Sequence, residues 1–407
     1  MLELLRNRTF AAVWFCYTTS VIASAAIPTA ITLQIVDHGG VAQLGIVLAA
    51  RTAGFLVGAV FGGMATDRFP RWVVLAASCG VRGVAALAAA SAIAGPFELV
   101  AICLALIGAG EGTFRSAYQA LIVEIVGPGD RQRANAVNTL SMRLALTAGP
   151  VAVVWVYSQC GSVATLTASG LLWLLSAGLV LALWLRDRDF GKGRANGASR
   201  NVVTEYAEGL KEALRHRWFV GGLMALTVWL GFGFSIQQLA LPFVSRNVFG
   251  SDVFIGLSLG AYSAGAICGA FLLTRWTPRR PGSLGFVGLA AFSLVPFSLV
   301  GSSPMLIVAA YFIGGVGIEL FNVPWSTAIQ NEVPKELIGR VSSLDFLVSY
   351  GVAPLTLAFL PAAIALCGRD IVTVGCGLLV LCSSLGALAV PGADILRDDR
   401  GRRALSG

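Results

Sequence analysis

Glu111 and Arg115 stand four residues apart in the predominantly apolar stretch 98–122. Glu placed N-terminal to a base at i, i+4 is the favourable order for an ion pair along one helix face. A carboxylate kept from water beside a guanidinium gains or loses a proton as its surroundings change, which is the chemistry of proton coupling. Arg51, Arg82 and Arg143 interrupt neighbouring apolar stretches, and Tyr118 lies one turn beyond Arg115. In the second half of the chain Glu319 and Asn322 are spaced i, i+3, and Gln237 and Gln238 lie in another apolar stretch. Charges in such places are costly to bury and usually serve function. Two readings of Glu111–Arg115 stand at this point: a proton-coupling pair, or a structural pair that neutralises itself. Arg51 and Arg82 read as interhelical or packing contacts. Four arginines against one glutamate leave surplus positive charge, which suits an anionic or oxygen-rich substrate better than a lipophilic cation.

The elements that must carry these residues follow from composition. The chain has 407 residues, of which 56% are hydrophobic and only 12% charged, with a mean hydropathy of +0.79. A soluble domain is about a quarter charged, so a water-facing globule is excluded, and a disordered chain more firmly still. A spanning helix uses about 20 apolar residues. Apolar runs predict twelve of them, near 9–35, 43–65, 72–94, 98–122, 134–157, 163–185, 218–244, 253–275, 283–301, 304–329, 341–365 and 371–391.

The basic residues orient these helices. With the N-terminus inside, 23 of the 29 Lys+Arg fall in internal segments and only Arg246 and Arg369 outside; the other four are Arg51, Arg82, Arg115 and Arg143. This positive-inside bias implies that both termini are cytoplasmic, and the expected setting is a bacterial inner membrane. The formal charge of +8 then reflects attraction of basic loops to anionic lipid, not nucleic-acid binding. The run Thr9–Ile35 is too long for a cleavable signal.

The longest polar segment, Arg186–Arg217, divides two copies of a six-helix unit. Its start is a flexible linker around Gly191–Gly197. Its end places Val203, Tyr206, Leu210 and Leu214 on one face, as in a helix lying on the membrane surface. The expected organisation is a first bundle at 1–190, a cytoplasmic linker with its surface helix at 191–216, and a second bundle at 217–407. Residues 5–10 match 214–219, 66–71 match 274–279, and Ile107-Gly108 before Glu111 recurs as Ile313-Gly314 before Glu319. Internal repeats of this kind mark transporter architecture.

Other chemistries find little support. Eight Cys occur without a CxxC pair; most lie in apolar runs and read as packed side chains, while Cys160 and Cys367 fall in external connections as free thiols. No metal-ligand spacing is present, and no cofactor is expected. The two His, His38 and His216, sit at opposite faces, and no Ser, His or Cys cluster has catalytic spacing, so no catalytic residues and no enzyme are expected. Gly108–Gly112 and Gly314–Gly317 lie within apolar helices with no G-K-S/T, so they read as close helix packing rather than phosphate loops.

The stretch Gly63–Arg71, with Asp67, Arg68, Pro70 and Arg71, lies between the second and third helices. It resembles the G-x-x-x-D-R-x-G-R motif of the major facilitator superfamily, with Pro70 in place of the last Gly. A degenerate copy follows the eighth helix, with Arg275 where Asp67 stands in the first. The resemblance covers the whole chain and implies an all-α membrane protein of two pseudo-symmetric six-helix bundles. It also implies that Asp67, Arg68 and Arg71 form a cytoplasmic gate, with Glu124 as the acidic partner of Arg71; the alternative is an ordinary charged turn. By the same resemblance helices one, four, seven and ten line a central cavity, which brings Glu111, Arg115, Tyr118, Gln237, Glu319 and Asn322 toward it, with Arg143 at a comparable depth. Asp345 belongs to an inner gate. The opening Arg6–Phe10, Arg51, Arg82 and Arg133–Ala136 are similar to the exporter branch of siderophore, macrolide and multidrug efflux proteins. Gly149-Pro150 is similar to the core of the helix-five antiporter motif, though its flanking glycines are missing here.

The function expected is proton-coupled export of a small organic molecule by alternating access, with substrate, protons and the lipid bilayer as the partners of a monomer. Glu111 is the first candidate for the protonating carboxylate and Glu319 the second. Proton-coupled uptake, and a non-transporting receptor or scaffold on the same fold, remain open.

Overall fold

A computed structural model describes residues 7–38, 40–93, 95–127, 131–186, 210–276, 278–301, 303–334 and 337–397. The chain is all-α and forms two compact units, Met1–Ala198 and Ser199–Gly407.

The first unit holds α1 (Arg8–His38), α2 (Val41–Arg68), α3 (Arg71–Ala92), α4 (Phe97–Ile125) and the helical run Arg131–Arg186. That run breaks at Gly161, whose φ of 75° and ψ of −178° are non-helical. Its legs are α5 (131–160) and α6 (161–186). The expected connection around 158–162 thus shrinks to one glycine, because only glycine adopts this backbone without strain.

The second unit holds α7 to α12. Helix α7 runs from Arg217 to Asn247, with a π-helical turn at Trp229–Phe234 between its two α-helical parts. Helix α8 is Val253–Arg275. Helix α9 comes in two pieces, Pro281–Ala291 and Leu294–Val300. Helix α10 is Pro304–Glu332. Helix α11 also comes in two, Ile338–Gly351 and Ala353–Cys367, parted at Val352 just before Pro354, whose ring cannot continue the helix ladder. Helix α12 is Arg369–Ala387.

Among the described residues, eleven helices are long and apolar enough to cross a membrane. The remaining leg, α5, spans about 45 Å at 1.5 Å per residue, also enough to cross. Large apolar side chains such as Phe61, Val84, Leu175, Met224 and Phe359 are exposed on the outer faces, as befits helices solvated by lipid. Of the cysteines read as packed, Cys16, Cys79, Cys103 and Cys376 are buried, whereas Cys268 and Cys382 are exposed. The sequence pattern did not separate lipid-facing from inward-facing positions, because both are apolar. Leu210 and Leu214 are exposed too; Val203, Tyr206 and the linker before them lie outside the described residues.

Lipid tails are as apolar as leucine, so helices associate in a membrane through close packing rather than through burial from water. The glycines supply it. In the first unit a β-carbon at Gly54 or Gly58 of α2 would overlap the carbonyl oxygen of Ala105 or Ala109 of α4. One at Gly108 or Gly112 of α4 would overlap that of Arg51 or Phe55. The second unit repeats the seam between α8 and α10, where Gly265 faces the carbonyl of Phe312 and Gly315 that of Tyr262. The two glycine patterns are therefore packing devices.

Two core layers account for most of the buried side chains grouped in the first unit, beside a smaller cluster of Ala26, Ala30 and Val153. One gathers Phe10, Val13, Cys16, Trp72, Cys79, Phe114 and Tyr118. The other gathers Ala23, Ile27, Val47, Ala86, Leu104, Ile107 and Trp173. Trp218 and Phe219 of α7, Phe286 of α9, and Phe321 and Trp325 of α10 pack as an aromatic cluster in the second unit.

Candidate functional site

The seam glycines decide where Glu111 points. Gly108, Glu111, Gly112 and Arg115 are spaced i, i+3, i+4 and i+7, so they share one face of α4. Gly108 and Gly112 press that face against the backbone of α2 at Arg51 and Phe55. Glu111 consequently meets the Arg51 side chain. Arg51 Nη2 donates to Glu111 Oε2 at 2.6 Å, with both side chains roughly three-quarters buried. The short distance is typical of a charge-assisted bond. The expected partner along α4, Arg115, is an exposed residue. The Arg51–Glu111 pair is thus interhelical, made by the close packing of α2 on α4 rather than by spacing along one helix. Arg51 Nε is buried with no hydrogen-bond partner, so the guanidinium is only partly satisfied by Glu111.

Tyr118 lies on α4 with its hydroxyl donating to Asn138 Oδ1 of α5 at 2.8 Å. Its ring stacks on Tyr17 of α1, with centroids 4.5 Å apart, and on Phe114 at 5.7 Å. Tyr17 is a member of this aromatic group that the sequence pattern did not single out. A Tyr on the first helix carries no signal until α1 is packed beside α4. Trp14 Nε1 donates to Ser141 Oγ at 3.0 Å, a polar tie between α1 and α5. The side chains of Arg143 and Pro150 lie outside the described residues; Gly149 is half-buried and faces Ala25 of α1.

At the other end of α4, Arg71 Nη1 donates to Glu124 Oε2 at 3.2 Å and to the Ala120 carbonyl at 3.1 Å. Burial pushes the Glu124 carboxyl above the ordinary carboxylate value, and Arg71 only partly offsets this. Arg68 ends α2 and is exposed. The side chain of Asp67 lies outside the described residues.

In the second unit Glu319 is 4% exposed, on the α10 face that packs against Gly269 of α8. It therefore occupies the α8–α10 seam as Glu111 occupies the α2–α4 seam. Ser258, in the register of Arg51, is fully buried with an unpartnered hydroxyl. Glu319 does not face it: Gly269, which meets Glu319, lies eleven residues along α8 from Ser258, about 16 Å deeper in the seam. Gln237 follows the π-helical turn of α7, is buried, and its Oε1 has no partner. Asn322 is half-buried, one turn beyond Glu319. Trp325 Nε1 donates to Asp345 Oδ1 of α11 at 3.3 Å. Among the described residues no cluster of three or more His, Cys, Asp or Glu could hold a metal ion.

A sequence profile described as the Major Facilitator Superfamily matches residues 13–356. Among solved structures the chain is similar to the nucleoside transporter NupG, with a TM-score of 0.72 at 14% identity, covering 93% of this chain and 99% of that one. It is similar also to a peptide transporter, POT, in complex with sulfate, with a TM-score of 0.71 at 15% identity and 95% of each chain covered. A POT family transporter in complex with 5-aminolevulinic acid gives 0.71 at 12% identity, covering 95% of this chain and 96% of that one. No curated protein sequence matches the chain.

Proposed function

The chain belongs to the major facilitator superfamily, and from that premise we propose that it exports a small organic molecule in exchange for protons. It is a multi-pass membrane transporter of small-molecule substrates. The proposed substrate is of the drug, macrolide or siderophore kind, and the proposed setting is the bacterial inner membrane with both termini cytoplasmic. The Lys and Arg distribution along the sequence supports that orientation.

The observation that carries the coupling role is the 2.6 Å contact between Glu111 and Arg51. An ionised Glu111 neutralises Arg51 and holds α2 to α4. A proton arriving on Glu111 cancels its charge and leaves Arg51 a bare cation in a low-dielectric seam, a costly state. The protein relieves that cost by rearranging or by taking an anionic group of the substrate as a new counter-ion. Proton and substrate are thereby linked through one guanidinium. Arg51 is already neutralised by Glu111 and Arg82 is wholly buried, so the positive charge offered to a substrate is smaller than four arginines suggest. Glu319 is the second carboxylate candidate. Asp67, Arg68, Arg71 and Glu124 act as the cytoplasmic gate.

Reconstitution into liposomes with an imposed pH gradient tests this. Proton flux that depends on a siderophore, a macrolide or an anionic drug, and that disappears in Glu111→Gln, is the expected result. Normal transport against a gradient by Glu111→Gln would remove Glu111 from the mechanism. Substrate accumulating in the direction of proton flow would make the protein a symporter.

A further inference from the structure

Arg82 is 0% exposed. It lies eleven residues into α3, about 16 Å from its start and so at mid-membrane depth. Its guanidinium bonds lie within the first unit: Nε donates to the Ser78 carbonyl at 3.2 Å, Nη1 to Ser20 Oγ at 2.6 Å, and Nη2 to Cys79 Sγ at 3.3 Å. The guanidinium is sandwiched between Phe114, 4.4 Å from the ring centroid, and Trp173, at 4.9 Å. Among the described residues no carboxylate pairs with it.

An arginine does not lose its proton in a protein. Two aromatic faces offset part of the cost of a buried cation, but they do not neutralise it. Of the groups bonded to Arg82, a serine hydroxyl and a carbonyl cannot become anions near neutral pH. The Cys79 thiol can. A second thiol stands beside it, since Cys16 Sγ of α1 lies 3.9 Å from Cys79 Sγ and is equally buried. That contact lets the Cys16 S–H donate to a Cys79 thiolate.

We propose that Arg82 holds Cys79 as its thiolate counter-ion and that Cys16 and Cys79 form a peroxide-oxidisable dithiol joining α1 to α3. The oxidant is hydrogen peroxide, which is small, uncharged and able to enter the bilayer. The Cys79 thiolate attacks one peroxide oxygen, the O–O bond breaks, and hydroxide leaves with a sulfenic acid on Cys79. The Cys16 sulfur then attacks the sulfenic sulfur, an S–S bond forms, and the departing hydroxide takes the Cys16 proton as water. The first hydroxide takes up a proton from solvent. Two thiol sulfurs are oxidised by two electrons in all, and one peroxide is reduced to two waters. The sulfurs must close by about 1.9 Å to reach the normal S–S length. The disulfide leaves Arg82 without an anion, so the reduced form is the one this site stabilises and a thiol reductant reverses the change.

The test uses the full-length chain in membranes, with the other six cysteines replaced by Ala. After hydrogen peroxide, denaturation and a maleimide mass tag, the protein should lose both tags together and regain both on reduction. A chain keeping only buried Cys103 or only buried Cys376 controls for burial. The Cys16–Cys79 pair should react at least about tenfold faster than either control, as expected of a thiolate. Arg82→Gln should bring the rate down to the controls, while Arg82→Lys, which keeps the charge if the Gln variant does not fold, should retain part of it. Retention of both tags, a rate no faster than the controls, or an unchanged rate in Arg82→Gln overturns the proposal.

Discussion

Glu111 on α4 and Arg51 on α2 are joined by a 2.6 Å ion pair in a seam built from glycine. The glycines come first in the physical order of events. They let two backbones approach, and the approach turns the carboxylate toward the neighbouring helix rather than along its own. The same face of α4 that carries the packing also carries the charge.

This relationship separates a structural role from a coupling role. Glu111→Gln leaves Arg51 without its anion, and the loss should be on the order of 1–3 kcal/mol. The apparent Tm in detergent should fall by a few degrees. The double variant Arg51→Gln/Glu111→Gln should recover most of that Tm, because no bare charge remains. Proton-coupled transport should stay absent in the double variant. Recovery of transport with recovery of stability would make the pair structural only.

The seam itself is testable. Gly58→Ala places a β-carbon against the Ala109 carbonyl, and the two helices must separate, at a cost of about 1–3 kcal/mol. Gly178→Ala on α6 meets nothing within 4 Å and should leave stability unchanged or raise it by up to about 1 kcal/mol, since alanine is the better helix former. Thermal unfolding of both variants in detergent, followed by size-exclusion chromatography, checks this contrast. Equal behaviour of the two would show that the seam tolerates side chains.

Gly161 is the sole break between α5 and α6, at a backbone conformation with φ 75° and ψ −178°. That region is close to glycine-only, and a non-glycine residue there is strained by roughly 1–3 kcal/mol. Gly161→Ala should therefore destabilise the first unit although open space surrounds the position. An unchanged unfolding temperature would argue that the break adjusts freely.

Glu124 provides a pH-dependent prediction. Its folded-state value is raised by burial more than Arg71 lowers it. Protonated Glu124 is thus favoured by the fold, so its contribution to stability is present at low pH and is lost as pH rises through the raised value. The stability of the wild type relative to Glu124→Gln should fall across that interval. Acidification should also break the Arg71 bond at a higher pH than for an exposed glutamate. A gap in Tm that stays constant from pH 4 to pH 8 would contradict both statements.

Much of the architecture is written in the linear pattern of the chain. The scarcity of charge, its lopsided placement and the six-plus-six repeat are one-dimensional facts, since a bilayer imposes length and sidedness on each apolar run separately. The packing role of Gly108, Gly112 and Gly315 was readable for the same reason, because small residues in a lipid-solvated helix have few other uses.

What tertiary structure alone decided is which charge meets Glu111. Within one helix, neighbours are set by a fixed period of 3.6 residues, so Glu111 and Arg115 look paired. Across helices, a contact depends on the rotation and depth of both, which the close approach at the glycine seams determines and no local pattern encodes. The pairing of Glu111 with Arg51 arises in this way. So do the burial of Arg82 between Phe114 and Trp173, and the placing of Cys16 beside Cys79. The sequence by itself determined the solvent and the helices, because each is a property of one segment and its medium. The partners were settled by packing, because a bond between two helices is a property of neither alone.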